Sequence, residues 1–205
     1  MDRVKSKGIS MKSLFLAPVV ITAISLINIA NAATNGTVNF SGKLNDQTCQ
    51  VVLNNGSSAS GIVTLPTVPK ESIPNKYDST GKTAFTLTLS GCKASSTEFG
   101  VLAYFPPTAY TDTTNSVNYG VLRNIETGAT AAEGVALTIN QIIGSSEKRI
   151  NVGLPLTNPN YRYTTIAVGT TSATLRYNVA YVNDTTGAIK AGKVKGIAVY
   201  ELAYQ

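Results

Sequence analysis

Residues 192–205 read GKVKGIAVYELAYQ and alternate between two faces. Successive side chains of an extended chain point to opposite sides, so a period of two indicates a strand. One face carries Val194, Gly196, Ala198, Tyr200, Leu202 and Tyr204. The opposite face, with Ile197 and Val199 among charged residues, is also partly apolar. The chain stops one residue after Tyr204, so we expect this strand to be the last.

The residues upstream have the composition of an antiparallel sandwich. Thr, Val, Ala, Gly, Asn and Tyr dominate, and turn clusters separate short alternating or apolar runs. The intervening stretches, such as 69–81, are predicted to be turns or loops, although 69–76 also allows a helical turn. The candidate strands are residues 38–52, 61–65, 84–91, 99–105, 134–141, 149–152, 173–182 and 193–204.

The pattern predicts a sandwich that lacks a strand. An immunoglobulin-like sandwich normally needs a further strand beside one such as 193–204, and no sequence remains to form it. The result is a groove, in which part of the core is uncovered and a row of backbone groups is unpaired. Because such an edge is prone to aggregate, we expect another segment to fill it.

Residues 33–50, ATNGTVNFSGKLNDQTCQ, contain a second alternating run that suits this groove. Gly36, Val38 and Phe40 share one face of the run. The plainer interpretation is an ordinary first strand of the body. If the segment folds back into its own groove, the protein is a self-contained monomer. If it enters the next copy, a fibre forms, because head-to-tail contacts do not close on themselves.

The first 32 residues have the pattern of a secretory signal peptide. Basic residues precede an apolar run over residues 14–30, and the segment ends in the small residues expected at a cleavage site. This pattern predicts cleavage between Ala32 and Ala33. A membrane anchor is the alternative, because about 17 apolar residues lie near the lower limit for a span. A second start at Met11 would give a leader of ordinary length.

Cys49 and Cys92 predict one disulfide in an exported chain. A redox pair or a metal site is the alternative, and the absence of histidine and of C-x-x-C spacing disfavours both. Beyond residue 32 the net charge falls from +6 to +3, and the cations are scattered. We therefore predict neither a cofactor nor binding to nucleic acid.

Nothing in the chain indicates catalysis. A Ser-His-Asp arrangement is excluded by the lack of histidine, and the carboxylates show no catalytic pairing. Residues 79–83, STGKT, are similar to the end of a phosphate-binding loop, but Lys76 stands where that motif needs glycine, so a turn is the preferred interpretation. A secreted hydrolase of sandwich fold is only a remote alternative.

Four segments together resemble the chaperone-usher pilins, the type 1 fimbrial subunit family. They are GTVNFSGKLNDQTC (36–49), FTLTLSGC (85–92), EGVALTINQ (133–141) and YELAYQ (200–205). Tyr204 matches the penultimate tyrosine of that family. Gly192, the fourteenth residue from the end, is similar to the glycine of its chaperone-recognition segment.

The resemblance implies a cleaved signal peptide (1–32), a donor-strand extension (33–41) and an incomplete immunoglobulin-like pilin body (42–205). A periplasmic chaperone would lend the missing strand, and the extension of the next subunit would replace it at the outer-membrane usher. The inserted residues would be Thr34, Gly36, Val38 and Phe40. The groove and chaperone-recognition strand would comprise Gly192, Val194, Ala198, Tyr200, Leu202 and Tyr204.

The implied function is that of a structural subunit of a bacterial fimbria that supports cell adhesion. It would be exported through the periplasm to the cell surface and joined head to tail to copies of itself or to related pilins. We expect a shaft subunit rather than a tip adhesin, because the chain has length for one body only. The extension is short for the family, since after the expected cleavage only Ala33, Thr34 and Asn35 would precede Gly36. The alternative is a self-complemented, secreted immunoglobulin-like binding or capping module.

Overall fold

The computed structural model describes residues 48–93, 96–114 and 119–205. All of them fall within one unit of the chain, Lys43–Gln205. The expected signal peptide, its cleavage site and the donor residues Thr34, Gly36, Val38 and Phe40 lie outside the described residues.

Ten strands and one short 3-10 turn, Lys70–Ser72, make up the regular structure of this part of the chain. None of its helices is long and apolar enough to cross a membrane. The strands are β1 (Gln50–Leu53), β2 (Ser79–Ser90), β3 (Phe99–Tyr104), β4 (Thr111–Asp112), β5 (Val121–Arg123), β6 (Val135–Ile143), β7 (Ser146–Ile150), β8 (Thr164–Ile166), β9 (Ala173–Asn183) and β10 (Glu201–Tyr204).

The strands form two antiparallel sheets. The larger sheet has the order β1-β2-β9-β6-β5-β4, with β7 also paired to β6. The smaller sheet has the order β10-β3-β8. Among the described residues, β1 and β10 are edge strands, because β1 pairs only with β2 and β10 pairs only with β3.

The core lies between the two sheets and is built by the alternation of the strands. Leu87 and Leu89 of β2 are directly opposite Leu175 and Ala173 of β9, so their side chains share the inner face. Tyr177 of β9 is fully buried at the centre. Its ring stacks on Phe85 and meets the ring of Phe105 edge-on, with centroid distances of 5.4 and 5.7 Å. The aromatic contacts thereby tie one sheet to the other.

Several boundaries differ from the expectations. Residues 193–204 do not form one strand, since only Glu201–Tyr204 pairs in a sheet, and residues 61–65 form none. The predicted turn at residues 79–83 is wrong, because β2 already begins at Ser79. The register of β2 shifts between Thr80 and Thr83, where Gly81 has a φ of +68°. Such a φ suits glycine in a bulge.

Candidate functional site

Two stretches that have no sheet partner among the described residues flank one side of the core. We name residues 61–68 the early edge and residues 194–200 the late edge. Within the described ranges, the backbone of residues 61–65 and of residues 196–200 makes no hydrogen bond to another backbone group. Val63 and Leu65 of the early edge, and Val194 and Tyr200 of the late edge, are half-buried against the same core. We name the space between the two edges, as the described residues leave it, the groove.

Two tyrosines connect the two sides of this groove. The hydroxyl of Tyr200 donates a hydrogen bond of 2.7 Å to the carbonyl oxygen of Ala59, just before the early edge. The hydroxyl of Tyr204 accepts one of 3.1 Å from the backbone N–H of Cys49. Burial raises the pKa of Tyr200, so this hydroxyl keeps its proton at neutral pH and can donate. Both side chains thus join the C-terminal segment to the residues that flank β1.

The floor of the groove is apolar and aromatic. The ring of Tyr200 lies 6.2 Å from that of Phe105, and the ring of Tyr204 lies 6.3 Å from that of Phe99. Leu202, between the two tyrosines, is half-buried against the same core. These contacts offer an apolar surface to a strand laid above them.

Two glycines let the late edge approach its neighbours closely. A Cβ on Gly196 would lie 2.8 Å from a methyl group of Leu137. A Cβ on Gly192 would lie 2.5 Å from the backbone of Ala131 and Ala132. Because backbone atoms cannot rotate away, the second approach excludes any side chain. Gly192 is therefore required for packing, and it lies at one end of the groove rather than inside it.

Cys49 and Cys92 form a disulfide with a Cα–Cα distance of 4.0 Å. The bond joins the residue before β1 to a residue just after β2. It also places the N–H of Cys49 where Tyr204 can accept it. The disulfide therefore holds the start of β1 against the end of β2, beside the Tyr204 contact.

The structure brings together most of the late residues named from the sequence. Val194, Tyr200, Leu202 and Tyr204 all contact the core beside the groove, whereas Ala198 is exposed. The roles of these residues in recognising a chaperone, and those of the donor residues outside the described ranges, remain predictions.

Sequence reasoning missed the partners on the early side. Val63 and Leu65 were expected only as part of an ordinary strand, although their spacing carries the alternation of a groove wall. Ala59 was assigned to a loop, because its contribution is a carbonyl oxygen and no side chain signals it. Leu137 lies in a predicted strand, but its contact with Gly196 links residues far apart in sequence.

The remaining surface offers little that suggests another ligand. A shallow depression of about 220 Å³ beside β6 and β7 is lined by both signs of charge. No group of His, Cys, Asp or Glu within the described ranges could hold a metal ion. The depression is lined by Gln141, Ile143, Ser146, Glu147, Lys148 and Arg162.

Known proteins share this sequence pattern and this fold. Residues 38–205 match the family model described as "Fimbrial protein". The F17 fimbrial protein of Escherichia coli is 35% identical over 179 residues, which cover 86% of this chain and 91% of that protein. The major fimbrial subunit SMF-1 of Stenotrophomonas maltophilia is 34% identical over 181 residues, with 85% and 95% covered.

A solved structure of a chaperone-usher pilus has the same fold. It covers 84% of this chain and 97% of its own, with a TM-score of 0.50 and 15% identity. The all-β, incomplete immunoglobulin-like sandwich predicted from the sequence is therefore confirmed.

Proposed function

The chain belongs to the fimbrial protein family, and on that basis we propose that it polymerises by donor-strand exchange into the fimbria of which it is a structural subunit. Its relatives are structural subunits, a family that is not enzymatic. Such subunits form pili on the cell surface. The proposal concerns how this subunit is joined to the next.

The groove between the two edges is the observation that carries the proposal. Within the part of the chain that the structure describes, residues 61–65 and 196–200 lack backbone partners, while the inward side chains of the two edges pack on one apolar core. A strand between them would pair with both edges and cover the aromatic floor. Main-chain pairing supplies affinity independent of side-chain identity, and the floor selects apolar side chains at alternate positions.

Residues 33–41 supply the proposed donor strand. Thr34, Gly36, Val38 and Phe40 lie on one face of this segment if it is extended. Val38 and Phe40 would each gain roughly 1.5 to 3 kcal/mol if fully buried in the groove of the neighbour. Gly36 would let the strand lie close to the floor, where a Cβ would strike it.

The same groove gives a reason for a chaperone and an usher. Before the next subunit arrives, the exposed core and the unpaired edges would aggregate. A periplasmic chaperone that lends a strand to the groove would prevent this, and the outer-membrane usher would be the place of exchange. Export through the periplasm after cleavage at Ala32 and Ala33 completes the proposed route.

A gel experiment on the mature chain, residues 33–205, tests the proposal. We compare the wild type with Gly36→Lys, and with Thr37→Lys as the matched control on the opposite face. Each protein is run without reduction and without boiling. We expect a ladder of heat-dissociable multimers for the wild type and for Thr37→Lys, and its loss in Gly36→Lys. A monomer that ignores both substitutions would support a self-complemented binding module instead.

A further inference from the structure

The side chain of Asn124, in the loop after β5, makes four hydrogen bonds at the start of the late edge. Its Nδ2 donates to the carbonyl oxygens of Ala132 (2.9 Å) and Lys193 (3.1 Å). Its Oδ1 accepts from the backbone N–H of Lys195 (2.9 Å) and of Glu126 (3.1 Å). One amide therefore joins three segments of chain.

Backbone hydrogen bonds next to Asn124 also hold the start of the late edge. The N–H of Lys193 donates to Thr130 O (2.7 Å), and Lys193 O accepts from the N–H of Ala132 (2.9 Å). The carbonyl oxygen of Lys195 accepts from the N–H of Ile125 (2.9 Å). The hydrogen-bonding groups of Lys193 and Lys195 are thus directed away from the groove.

At the C-terminal end of the chain the backbone groups alternate in the same way as at Lys193 and Lys195. Gln205 and Gly100 exchange two backbone hydrogen bonds, of 3.0 and 3.2 Å, on the β3 side. In an extended strand the backbone groups of alternate residues point to opposite sides. The odd-numbered residues therefore face β3 and the loop after β5. The N–H and C=O groups of Val194, Gly196 and Ala198 are left facing the groove.

Backbone hydrogen bonds hold this edge in position at its two ends. Residues 196–200 have no backbone hydrogen bonds within the described ranges, so the anchors on either side set their path. At one end the anchor is a strand, β3. At the other end the described residues include no strand beside Lys195, and the amide of Asn124 takes its place together with the N–H of Ile125. An edge held extended in advance loses less conformational freedom when it pairs.

We propose that Asn124 is a positioning residue for strand uptake. Its side chain substitutes for a missing neighbouring strand and presents the backbone of Val194, Gly196 and Ala198 to the incoming donor strand. It bonds to the late edge on the side away from the groove and does not contact the donor strand. This inference rests on the proposed function, since it requires that a strand enters the groove.

The test measures assembly of the mature chain, residues 33–205, after dilution from denaturant. We compare wild type, Asn124→Ala and Asn124→Asp with the control Asn140→Ala. The control removes a different buried amide, one that donates a 2.8 Å bond to Asn178 in the larger sheet. The first readout is the rate of multimer formation. The second is the concentration of the synthetic peptide ATNGTVNFSG, residues 33–42, that halves this rate.

For Asn124→Ala we expect assembly to slow about tenfold and the half-inhibiting peptide concentration to rise about tenfold. For Asn124→Asp we expect changes at least as large, because a carboxylate can still accept from Lys195 but would place an oxygen against the carbonyl oxygens of Ala132 and Lys193. Asn140→Ala should leave the peptide concentration unchanged, since its lost bond lies away from the late edge.

The two ideas fail in different ways. If the wild type neither assembles nor responds to the peptide, the proposed strand exchange is wrong. If the wild type assembles and both Asn124 variants require the same peptide concentration as Asn140→Ala, Asn124 has only a structural role. Should Asn124→Ala not fold, Asn124→Asp decides by the same comparison.

Discussion

The hydroxyl of Tyr200 donates a 2.7 Å hydrogen bond to the carbonyl oxygen of Ala59, a residue 141 positions earlier in the chain. The bond joins the residue before β10 to the loop between β1 and the early edge. It thereby fixes the distance between the early and late edges at this end of the groove.

Replacing Tyr200 with Phe should lower the free energy of unfolding by about 1 kcal/mol, since one hydrogen bond is lost while the ring contact with Phe105 is kept. Urea unfolding of the mature chain measures this change. Tyr110→Phe is the control, because Tyr110 is 40% exposed. Equal stability of the two variants would show that the bond to Ala59 contributes nothing.

Replacing Tyr177 with Phe should lower the free energy of unfolding by about 1 to 3 kcal/mol. The hydroxyl of Tyr177 accepts a 3.3 Å hydrogen bond from the N–H of Ala103, and both residues are fully buried. Ala103 lies beyond the part of β3 that pairs with β8, so no strand can replace the lost acceptor. Thermal or urea unfolding checks the loss. An unchanged midpoint would mean that water reaches this N–H.

Stability should also fall in alkaline solution. Burial raises the pKa of Tyr177 and Tyr161, whereas tyrosines of the unfolded chain titrate near their usual value of about 10. The unfolded state therefore releases protons first. Stability is fully present below a pH of about 10 and is lost as the pH rises towards the raised values. Urea midpoints across this range should decline, and less steeply in Tyr177→Phe.

Gly192→Ala should destabilise the body by about 1 to 3 kcal/mol, because the new Cβ meets backbone atoms at 2.5 Å. Gly187→Ala is the matched control, since a Cβ there would meet only the Thr185 hydroxyl, at an ordinary 3.4 Å. Urea unfolding of both variants gives the comparison. If Gly192→Ala were as stable as Gly187→Ala yet failed to assemble, recognition rather than packing would require the glycine.

Replacing both Cys49 and Cys92 with Ser should lower the free energy of unfolding by about 4 kcal/mol on the loop-entropy model. The double variant avoids an unpaired thiol. Denaturant unfolding of the oxidised wild type and the double variant measures the difference. A loss well below 1 kcal/mol would mean that packing around the β1 end, including the Tyr204 contact, already holds the two segments together.

The sequence was informative where a strand has a partner and misleading where it lacks one. The alternation of residues 193–204 indicated an extended chain, and the structure keeps its half-buried face. Only Glu201–Tyr204 pairs in a sheet, however, because β3 ends at Tyr104 and two prolines follow. Side-chain periodicity shows the backbone conformation of a stretch but not whether a neighbour is present.

Other features could not be predicted because they depend on contacts between distant segments. The strands β4, β5 and β8 have two or three residues each, too few for a period to be recognised. The bulge at Gly81 looked like a turn, since both need a positive φ. The four bonds of Asn124 unite residues up to 71 positions apart. No local pattern could have indicated them.

The disulfide determines how the body responds to a pulling force. If subunits are joined through residues 33–41, as proposed, tension along the chain would reach Cys49 before it reaches β1. The four-residue strand β1 would peel first, but the covalent bond carries the load past it to Cys92. From there the load reaches β2, a strand of 12 residues paired along most of its length with β9. In such a fibre the bridge would act as a mechanical clamp between the start of β1 and the end of β2.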